Sequence, residues 1–230
     1  MKSSITDEES HVIFRRATFI GAPCIMLQVY DAAACLAKYL DSDHFQAEHC
    51  GQQKQDEVSE GGQQPLCGRR VVELGAGTGV VGIMAGYLGA SAVITDLESL
   101  VPLLAHNINQ NTELLNAGTN TAKPLCWGCQ PDSDLLNPDF LILANCVYYE
   151  SSLEPLLETV LTLTSTGHSG TVVLACYEER TKEISQLVCR WHSMLSAYFV
   201  IDDVDRGLLD AQYMQDYIRV VTMTCRHQEN

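Results

Sequence analysis

Most of the chain alternates short apolar runs with longer amphipathic segments. Runs such as VVEL at 71–74 and FLILA at 140–144 lie between Gly, Pro, Asp or Asn residues, which is typical of buried strands. The segments between them repeat apolar residues at three and four positions, as helices with one buried face do. Strands that alternate with helices predict an α/β fold with a parallel sheet and helices on both faces. The predicted strands are 69–75, 91–96, 122–127, 138–149, 170–178, 198–204 and 217–225, with helices at 80–90, 97–111, 151–165 and 181–198.

The first 68 residues follow a different pattern. Residues 12–29 predict a strand or hairpin, and a helix follows with Asp31 as its expected N-cap. Residues 47–68 are rich in Gln, Glu and Gly and predict a flexible polar insertion without a core of its own. We therefore divide the chain into an N-terminal extension (1–46), an insertion (47–68) and a main domain (69–230).

Composition narrows the classes of function. The chain has 230 residues and is 46% hydrophobic, which suits one well-packed domain. Its net charge of −15 argues against binding of nucleic acid through phosphates and is compatible with a basic protein partner. No apolar run is long enough to span a membrane, and the polar N-terminus does not resemble a signal peptide. We expect a cytoplasmic protein that binds neither membranes nor nucleic acid.

Ten cysteines are scattered along the chain. Cys35, Cys146, Cys176 and Cys225 stand among apolar neighbours, which is typical of free buried thiols in a reducing compartment. One CxxC motif, CWGC at 126–129, lacks the second pair or the spaced histidines that a zinc site needs. We therefore expect no bound metal.

The stretch VVELGAGTGVVGIM at 71–84 places a glycine loop between a strand and a helix. Glycines at such a junction allow a ligand to approach the backbone and the free N–H groups of the helix. The loop reads Glu73-x-Gly75-x-Gly77-x-Gly79, whereas the dinucleotide fingerprint requires Gly or Ala at position 80, which is Val. Asp96 ends the next strand and can accept both ribose hydroxyls. A nicotinamide enzyme, or a glycine turn with a helix-capping Asp, are the alternatives.

Several segments together resemble one family. They include VYDAAACLAKYL, the glycine loop with the following HNINQN helix, KPLCWG, LANCVYYESSLEPLLETV and CYEERT. In order and spacing they resemble the methyltransferase-like group of non-SET protein lysine methyltransferases, above all the branch that modifies the valosin-containing AAA ATPase. The likeness runs from about residue 12 to nearly the end, apart from the insertion. It implies a Rossmann-like seven-stranded S-adenosylmethionine-dependent methyltransferase fold with a small N-terminal β extension.

The resemblance assigns a role in binding S-adenosylmethionine to several positions. The glycine loop would line the methionine and ribose, Asp96 would bind the ribose, and Leu97 and Trp127 would lie near the adenine. Tyr30 stands where relatives carry Trp, so an aromatic side chain is kept beside the cofactor. The complete set of expected cofactor-binding residues is Tyr30, Glu73, Gly75, Gly77, Gly79, Asp96, Leu97, Trp127, Ala144 and Asn145.

The chain departs from the family at one position that bears on catalysis. The family motif after the fourth strand is D-x-x-Y, and here it reads Asn145-Cys-Val-Tyr148. An Asn keeps an acceptor oxygen but loses the negative charge that would attract an incoming lysine. We expect Asn145 and Tyr148 to be the catalytic residues of a retuned enzyme. The alternative is a protein that binds the cofactor without turnover, and residue 145 could also chiefly shape the strand end.

The resemblance also suggests the acceptor side of the site. Tyr148 and Tyr149 would line the lysine channel, Glu178 would face the substrate, and Arg180 would form a structural ion pair. The open rim suits a protein substrate with an accessible lysine, such as an AAA ATPase or chaperone, better than a small molecule. We expect a monomer. Asn107 and Asn111 are expected to be solvated or capping groups.

Overall fold

The computed structural model describes residues 29–49, 64–115, 118–164 and 170–226. The predicted strand or hairpin at 12–29 and most of the insertion at 47–68 lie outside these residues. Among the described residues, no helix is long and apolar enough to cross a membrane.

The core of the molecule is one mixed sheet. Seven strands follow the order β3-β2-β1-β4-β5-β7-β6. The first five are parallel, and β7 runs antiparallel to both β5 and β6. This confirms the predicted seven-stranded, mostly parallel sheet. The strands are β1 (Arg70–Leu74), β2 (Ser91–Asp96), β3 (Thr119–Pro124), β4 (Phe140–Ala144), β5 (Val172–Glu178), β6 (Phe199–Asp203) and β7 (Ile218–Cys225).

Helices cover both faces of the sheet, as predicted. The first four helices contribute to one hydrophobic cluster, and the last two contribute to the cluster on the opposite face. The helices in the described residues are α1 (Asp31–Leu40), α2 (Asp43–His49), α3 (Val80–Tyr87), α4 (Val101–Asn111), α5 (Leu153–Thr164) and α6 (Lys182–Leu195).

The interior strand β5 contributes side chains to both hydrophobic clusters. Val173, Ala175 and Tyr177 pack under α5 and α6, whereas Leu174 and Cys176 pack on the face of α1 and α3. Successive side chains of a strand point to opposite faces, so a strand buried on both sides must be apolar throughout. This is why β4 and β5 read as continuous apolar runs in the sequence.

Helix α3 ends at Tyr87, three residues before the predicted end at residue 90. Gly89 has φ +99° and donates its N–H to the carbonyl of Gly86, while the N–H of Ala90 reaches the carbonyl of Ala85. Both bonds together form a Schellman motif, which needs a residue in the left-handed region. The sharp stop turns the chain directly into β2.

Two predicted strands differ from the structure by more than two residues at an end, and the other strand bounds agree within two residues. β3 covers Thr119–Pro124 instead of 122–127, because it is a polar edge strand whose apolar signal, LCW, lies in the turn after it. β4 stops at Ala144 instead of 149, because Asn145 has φ +57° and breaks the extended backbone. Cys146 and Val147, which follow Asn145, are buried at the strand end without pairing in the sheet.

The N-terminal helices belong to the main body. The N-cap of α1 is Tyr30, and the expected cap Asp31 is instead the first helical residue. α2 extends to His49, past the boundary predicted at residue 47. Leu66 is fully buried and donates its N–H to the carbonyl of Leu88, so the end of the predicted insertion packs on the core.

Phe45 anchors α2 to the sheet. Its side chain is fully buried, and its ring lies 5.4 Å from that of Phe140 at the start of β4. Phe45→Ala should lower the free energy of unfolding by about 3–5 kcal/mol, because it removes a buried ring and leaves a cavity. Denaturant unfolding followed by circular dichroism measures the change. His44→Ala, at an exposed position of the same helix, should change the free energy by less than about 0.5 kcal/mol.

Candidate functional site

The parallel strands end at one edge of the sheet. This edge carries the glycine loop after β1, Asp96 at the end of β2, Trp127 after β3, Asn145 after β4 and Glu178 at the end of β5. Open α/β sheets bind ligands at this carboxyl edge. The structure therefore brings together residues that the sequence placed in five separate motifs.

Backbone hydrogen bonds join the glycine loop to β2. The N–H of Ala76 donates to the carbonyl of Thr95 at 3.0 Å, and the N–H of Gly77 donates to Oδ2 of Asp96 at 2.7 Å. Gly75 and Gly77 have φ values of +58° and +56°, which favour glycine at both positions. The loop is thus a shaped backbone surface held over the strand ends.

Asp96 is the main polar group on the β2 side of this surface. Its Oδ1 accepts the N–H of Leu97 at 2.7 Å, so each carboxylate oxygen receives one backbone donor. Burial raises the pKa of Asp96, and the N–H groups of Gly77 and Leu97 oppose that rise. Each oxygen retains capacity to accept one further hydrogen, which is what two adjacent ribose hydroxyls require. Leu97 is 47% exposed beside it, as an apolar surface for a planar base would be.

Trp127 lies directly against the glycine loop. A Cβ atom at Gly75 would come within 2.7 Å of Cζ2 of Trp127 and 3.3 Å of Sγ of Cys146. Gly75 is therefore required by close packing as well as by its backbone angle. The expected contact of Trp127 with the adenine stays a prediction, since the structure shows the ring on the loop.

Glu73 lies beneath the loop. It is 1% exposed, and its Oε2 accepts the N–H of Gly82 in the first turn of α3 at 2.8 Å. It thereby caps a helix whose N-cap residue, Gly79, has no side chain to do so. Burial raises the pKa of Glu73 to about 8. The expected contact with the cofactor stays a prediction, and capping is the contact that the structure shows.

Two glycines of the loop serve internal packing. A Cβ at Gly79 would meet Leu104 at 2.9 Å, and a Cβ at Gly82 would meet Ile94 at 2.6 Å. Gly82 was not among the predicted site residues, although it belongs to the same glycine-rich stretch. Together these glycines let α3 lie close to β2, which sets the position of the loop.

Asn145 turns the chain after β4. It adopts the left-handed region at φ +57°, which Asn and Asp tolerate better than other side chains. Its N–H donates to the carbonyl of Cys176 at 2.8 Å, and its Oδ1 accepts the N–H of Glu178 at 3.3 Å. These contacts give residue 145 a role in shaping the strand end. Ala144, the preceding residue, is half-buried at the end of β4.

A row of aromatic rings leads from the loop towards solvent. The ring of Tyr148 lies 6.5 Å from Trp127 and 4.9 Å from Tyr149, measured between centroids. Tyr149 is 66% exposed. Burial, with smaller contributions from Cys146 and Asp96, raises the pKa of Tyr148 to about 12. Tyr148 therefore stays protonated at neutral pH and cannot act as a base.

Glu178 fastens α1 to the end of β5. The carboxylate is 5% exposed, and it accepts the N–H of Ala32 at 3.0 Å through Oε1 and Nε of Arg180 at 2.8 Å through Oε2. The predicted ion pair of Arg180 is present, and its guanidinium also lies 4.7 Å above the ring of Tyr217. A substrate contact of Glu178 stays a prediction. The contacts that are present hold the start of α1, and with it Tyr30, at the rim.

The helix α4 asparagines are buried, which corrects the prediction of solvated or capping groups. Asn107 is fully buried and donates from Nδ2 to the carbonyl of Thr78 at 2.9 Å, while Asn111 donates to the carbonyl of Asn107. Asn107 supports the glycine loop from outside, since Thr78 belongs to that loop.

The cysteines in the described residues are free thiols, and Cys35, Cys146 and Cys176 are buried as predicted, whereas Cys225 is only partly buried. No group of three or more His, Cys, Asp or Glu side chains among these residues could hold a metal ion.

Comparison with solved structures identifies the class of fold. A TehB-like S-adenosylmethionine-dependent methyltransferase from Corynebacterium glutamicum aligns with a TM-score of 0.52 over 87% of this chain and 90% of its own, at 12% identity. A magnesium protoporphyrin IX methyltransferase from Synechocystis, solved with bound S-adenosylhomocysteine, aligns with a TM-score of 0.53 over 92% of each chain, at 14% identity. The fold is that of the S-adenosylmethionine-dependent methyltransferases.

Comparison of sequences then gives the family. Residues 20–192 match the lysine methyltransferase family, and the chain belongs to it. The protein N-lysine methyltransferase METTL21A of Danio rerio is 36% identical over 55% of this chain and 59% of its own length. METTL21A of Xenopus tropicalis is 29% identical over 76% and 69%, respectively. The protein-lysine N-methyltransferase EFM6 of Saccharomyces cerevisiae is 33% identical over 50% and 51%. The chain thus spans about half the length of several curated relatives that it matches.

The residues at the carboxyl edge fit S-adenosylmethionine. Asp96 offers two acceptor oxygens for a ribose, and Leu97 offers exposed apolar surface beside it. The glycine loop presents backbone without side chains, and no basic side chain is needed there because this cofactor carries no phosphate. The half-buried rings of Trp127 and Tyr148 provide π-faces of the kind that attract a positively charged sulfonium.

Asp96 should dominate the affinity for the nucleoside. Asp96→Asn places an amide N–H₂ opposite a backbone N–H donor and removes one acceptor of the ribose. A charge-assisted hydrogen bond contributes about 1.5–3 kcal/mol, so the Kd for S-adenosylhomocysteine should rise by roughly 10- to 150-fold. Isothermal titration calorimetry measures it. Asp205→Asn is the matched control, because Asp205 also accepts a backbone N–H, from Gly207, but on an exposed turn. Equal affinity of Asp96→Asn and wild type would contradict the ribose assignment.

Glu73 should make the stability depend on pH. Its pKa is about 8 in the folded protein against 4.5 ordinarily, so the folded state binds more protons between these values. The free energy of unfolding should therefore fall as pH rises from about 4.5 to 8, and Glu73→Gln should remove that part of the decline. Urea unfolding at pH 5.5, 7 and 8.5, values chosen to bracket about 8, compares the two proteins. Glu154→Gln, an exposed site on α5, is the control. A difference between Glu73→Gln and wild type that stays constant with pH would refute this assignment.

Proposed function

We propose that the chain is an S-adenosylmethionine-dependent protein N-lysine methyltransferase. Its family membership supports the reaction class, and the names of its relatives support a lysine side chain as acceptor. The single observation that carries the proposal is a hydrogen bond between two segments. One is the glycine loop, the proposed cofactor side, and the other is the segment after β4, the proposed acceptor side. Sγ of Cys146, next to Asn145, donates to the carbonyl of Leu74 at the start of the glycine loop, at 3.1 Å.

The residues of the chain have distinct tasks in this reaction. The cofactor, when bound, supplies an activated methyl group on a sulfonium. Asn145 and Tyr148 border the place where a lysine amine would approach, and the aromatic row can attract its ammonium form. The amine must lose its proton before it attacks. Tyr148 cannot take that proton, because its pKa is raised to about 12, and Asn145 does not titrate. The proton therefore leaves to solvent along the open rim beside the exposed Tyr149.

Asn145 also motivates a second candidate function. The amide carries no negative charge to attract an incoming ammonium, and its Oδ1 is already used by the N–H of Glu178. A protein with this site could bind the cofactor and a partner without methyl transfer. We favour the enzyme, because the strand-end geometry that an Asp would adopt is preserved by Asn, including its left-handed backbone.

For the substrate we propose a protein with an accessible lysine and basic surroundings. The net charge of −15 favours a basic partner through long-range attraction. An AAA ATPase of the valosin-containing type is the specific candidate, on the strength of the resemblance in LANCVYYESSLEPLLETV and CYEERT. A cytoplasmic location and a monomeric state complete the proposal.

Methyl transfer from labelled S-adenosylmethionine tests the proposal. Wild type should label a lysine in a cell lysate and in a purified AAA ATPase, with the modified residue identified by mass spectrometry. Asn145→Asp should label about tenfold faster or more, because a restored charge-assisted contact is worth about 1.5–3 kcal/mol. Asn137→Asp is the matched control, since Asn137 also has a positive φ, of +51°, but precedes β4 at the opposite edge. It should not change the rate.

The other outcomes separate the two candidates. Label only with Asn145→Asp would establish a cofactor-binding protein without turnover. If neither protein labels any substrate while both bind S-adenosylhomocysteine, the enzyme proposal fails and the fold assignment stands. Label on residues other than lysine would overturn the acceptor assignment.

A further inference from the structure

The turn after β3 carries two cysteines in positions suited to a disulfide. The N–H of Cys129 donates to the carbonyl of Cys126 at 3.1 Å, and Gly128, the third residue of the turn, has φ +81°. This is the pattern of a type II β-turn, in which the first and fourth Cα atoms lie within about 7 Å. Disulfides join residues whose Cα atoms are about 4.4–6.8 Å apart. A turn of this kind is compatible with a disulfide between its first and fourth residues.

The two cysteines are exposed and interact with one another. Cys126 and Cys129 are both exposed, whereas Cys35, Cys146 and Cys176 are buried. The thiol of Cys129 hydrogen-bonds to Cys126, and this contact raises the pKa of Cys129. The thiol of Cys126 points towards the carbonyl of Trp127, 3.7 Å away. Accessibility to an oxidant and proximity of the two cysteines both favour formation of a disulfide.

The same turn positions Trp127 on the glycine loop. The N–H of Gly128 donates to Oγ1 of Thr159 on α5 at 2.8 Å, which fixes one side of the turn. On the other side, the Trp127 ring packs so closely on Gly75 that a Cβ there would overlap with it. A covalent bond across the turn would therefore act on a side chain that covers the cofactor loop.

We propose that Cys126 and Cys129 form a reversible disulfide that locks Trp127 against the glycine loop and so couples the redox state to cofactor affinity. With oxidised glutathione as oxidant, one thiolate attacks a glutathione sulfur and releases one reduced glutathione. The second cysteine then attacks the mixed disulfide and releases another. The two cysteines lose two electrons and two protons, and the glutathione disulfide is reduced to two thiols. Dithiothreitol reverses the reaction.

Locking the turn should strengthen cofactor binding. In the reduced protein, only hydrogen bonds and packing hold Trp127 on the loop, so restricting its remaining motion contributes an entropic cost when the ligand binds. A disulfide restricts this motion before the ligand binds, so less conformational entropy is lost on binding, as with other forms of preorganisation. We expect the Kd for S-adenosylhomocysteine to fall by about threefold on oxidation, well within the effect of one immobilised side chain.

The test treats the full chain with oxidised glutathione and maps the cysteines by mass spectrometry after peptide digestion. The expected result is the loss of two hydrogen atoms from the peptide with Cys126 and Cys129. Calorimetry with S-adenosylhomocysteine then compares the oxidised and the reduced protein. The double variant Cys126→Ser/Cys129→Ser should lose the response to the oxidant. Cys189→Ser, at an exposed lone cysteine on α6, should respond as wild type does.

Two results would overturn the proposal. One is a glutathionyl group on Cys126 or Cys129 in place of an internal bond, since the second thiol would then have failed to displace it. The other is an internal disulfide that leaves the affinity for S-adenosylhomocysteine unchanged. The mapping step needs neither cofactor nor substrate, so its outcome is independent of whether the chain methylates lysine.

Discussion

The bond between the N–H of Gly77 and the carboxylate of Asp96 is the contact on which the rest of the site depends. It joins the loop after β1 to the end of β2. The carboxylate of Asp96 is buried, so backbone N–H groups take the place of water as its hydrogen-bond donors. The neighbouring bond from Ala76 to Thr95 extends this junction. One acidic side chain thus holds the loop in shape and retains lone pairs that can accept further hydrogens.

The fold could be predicted from the sequence where the signal is local. The glycine loop and the apolar strands β4 and β5 can be recognised from the residues within each segment. β3 could not be placed as well, because an edge strand of polar residues has no apolar pattern to reveal it. The ends of the predicted insertion were also misjudged. Leu66 is buried and donates its N–H to Leu88, at the end of helix α3. The composition of residues 47–68 alone cannot predict a contact with a later segment of the chain.

The sequence predicts which residues belong to the candidate site better than it predicts the contacts that those residues make. The position of Asp96 at the end of β2 follows from the order of elements, whereas the end of β4 before Asn145 depends on a left-handed backbone. The partners of Glu178 do not, since it binds the N–H of Ala32, 146 positions away in the chain. Glu73 belongs to the expected motif, yet its carboxylate caps a helix below the loop. The sequence predicts a solvated or capping role for Asn107, whereas tertiary packing buries its side chain against Thr78. Each of these contacts is set by tertiary packing.

The left-handed backbone at Asn145 limits how this position can change. Only Gly, Asn and Asp enter that region at low cost, and of these only Asn and Asp can accept the N–H of Glu178 through a side chain. Exchange between the two alters the charge and replaces the amide N–H₂ donor by a second acceptor oxygen, while the shape and the oxygen that accepts the N–H of Glu178 stay the same. Evolution or protein engineering can therefore change the charge at the end of β4 by exchanging Asn and Asp, while the surrounding fold stays the same.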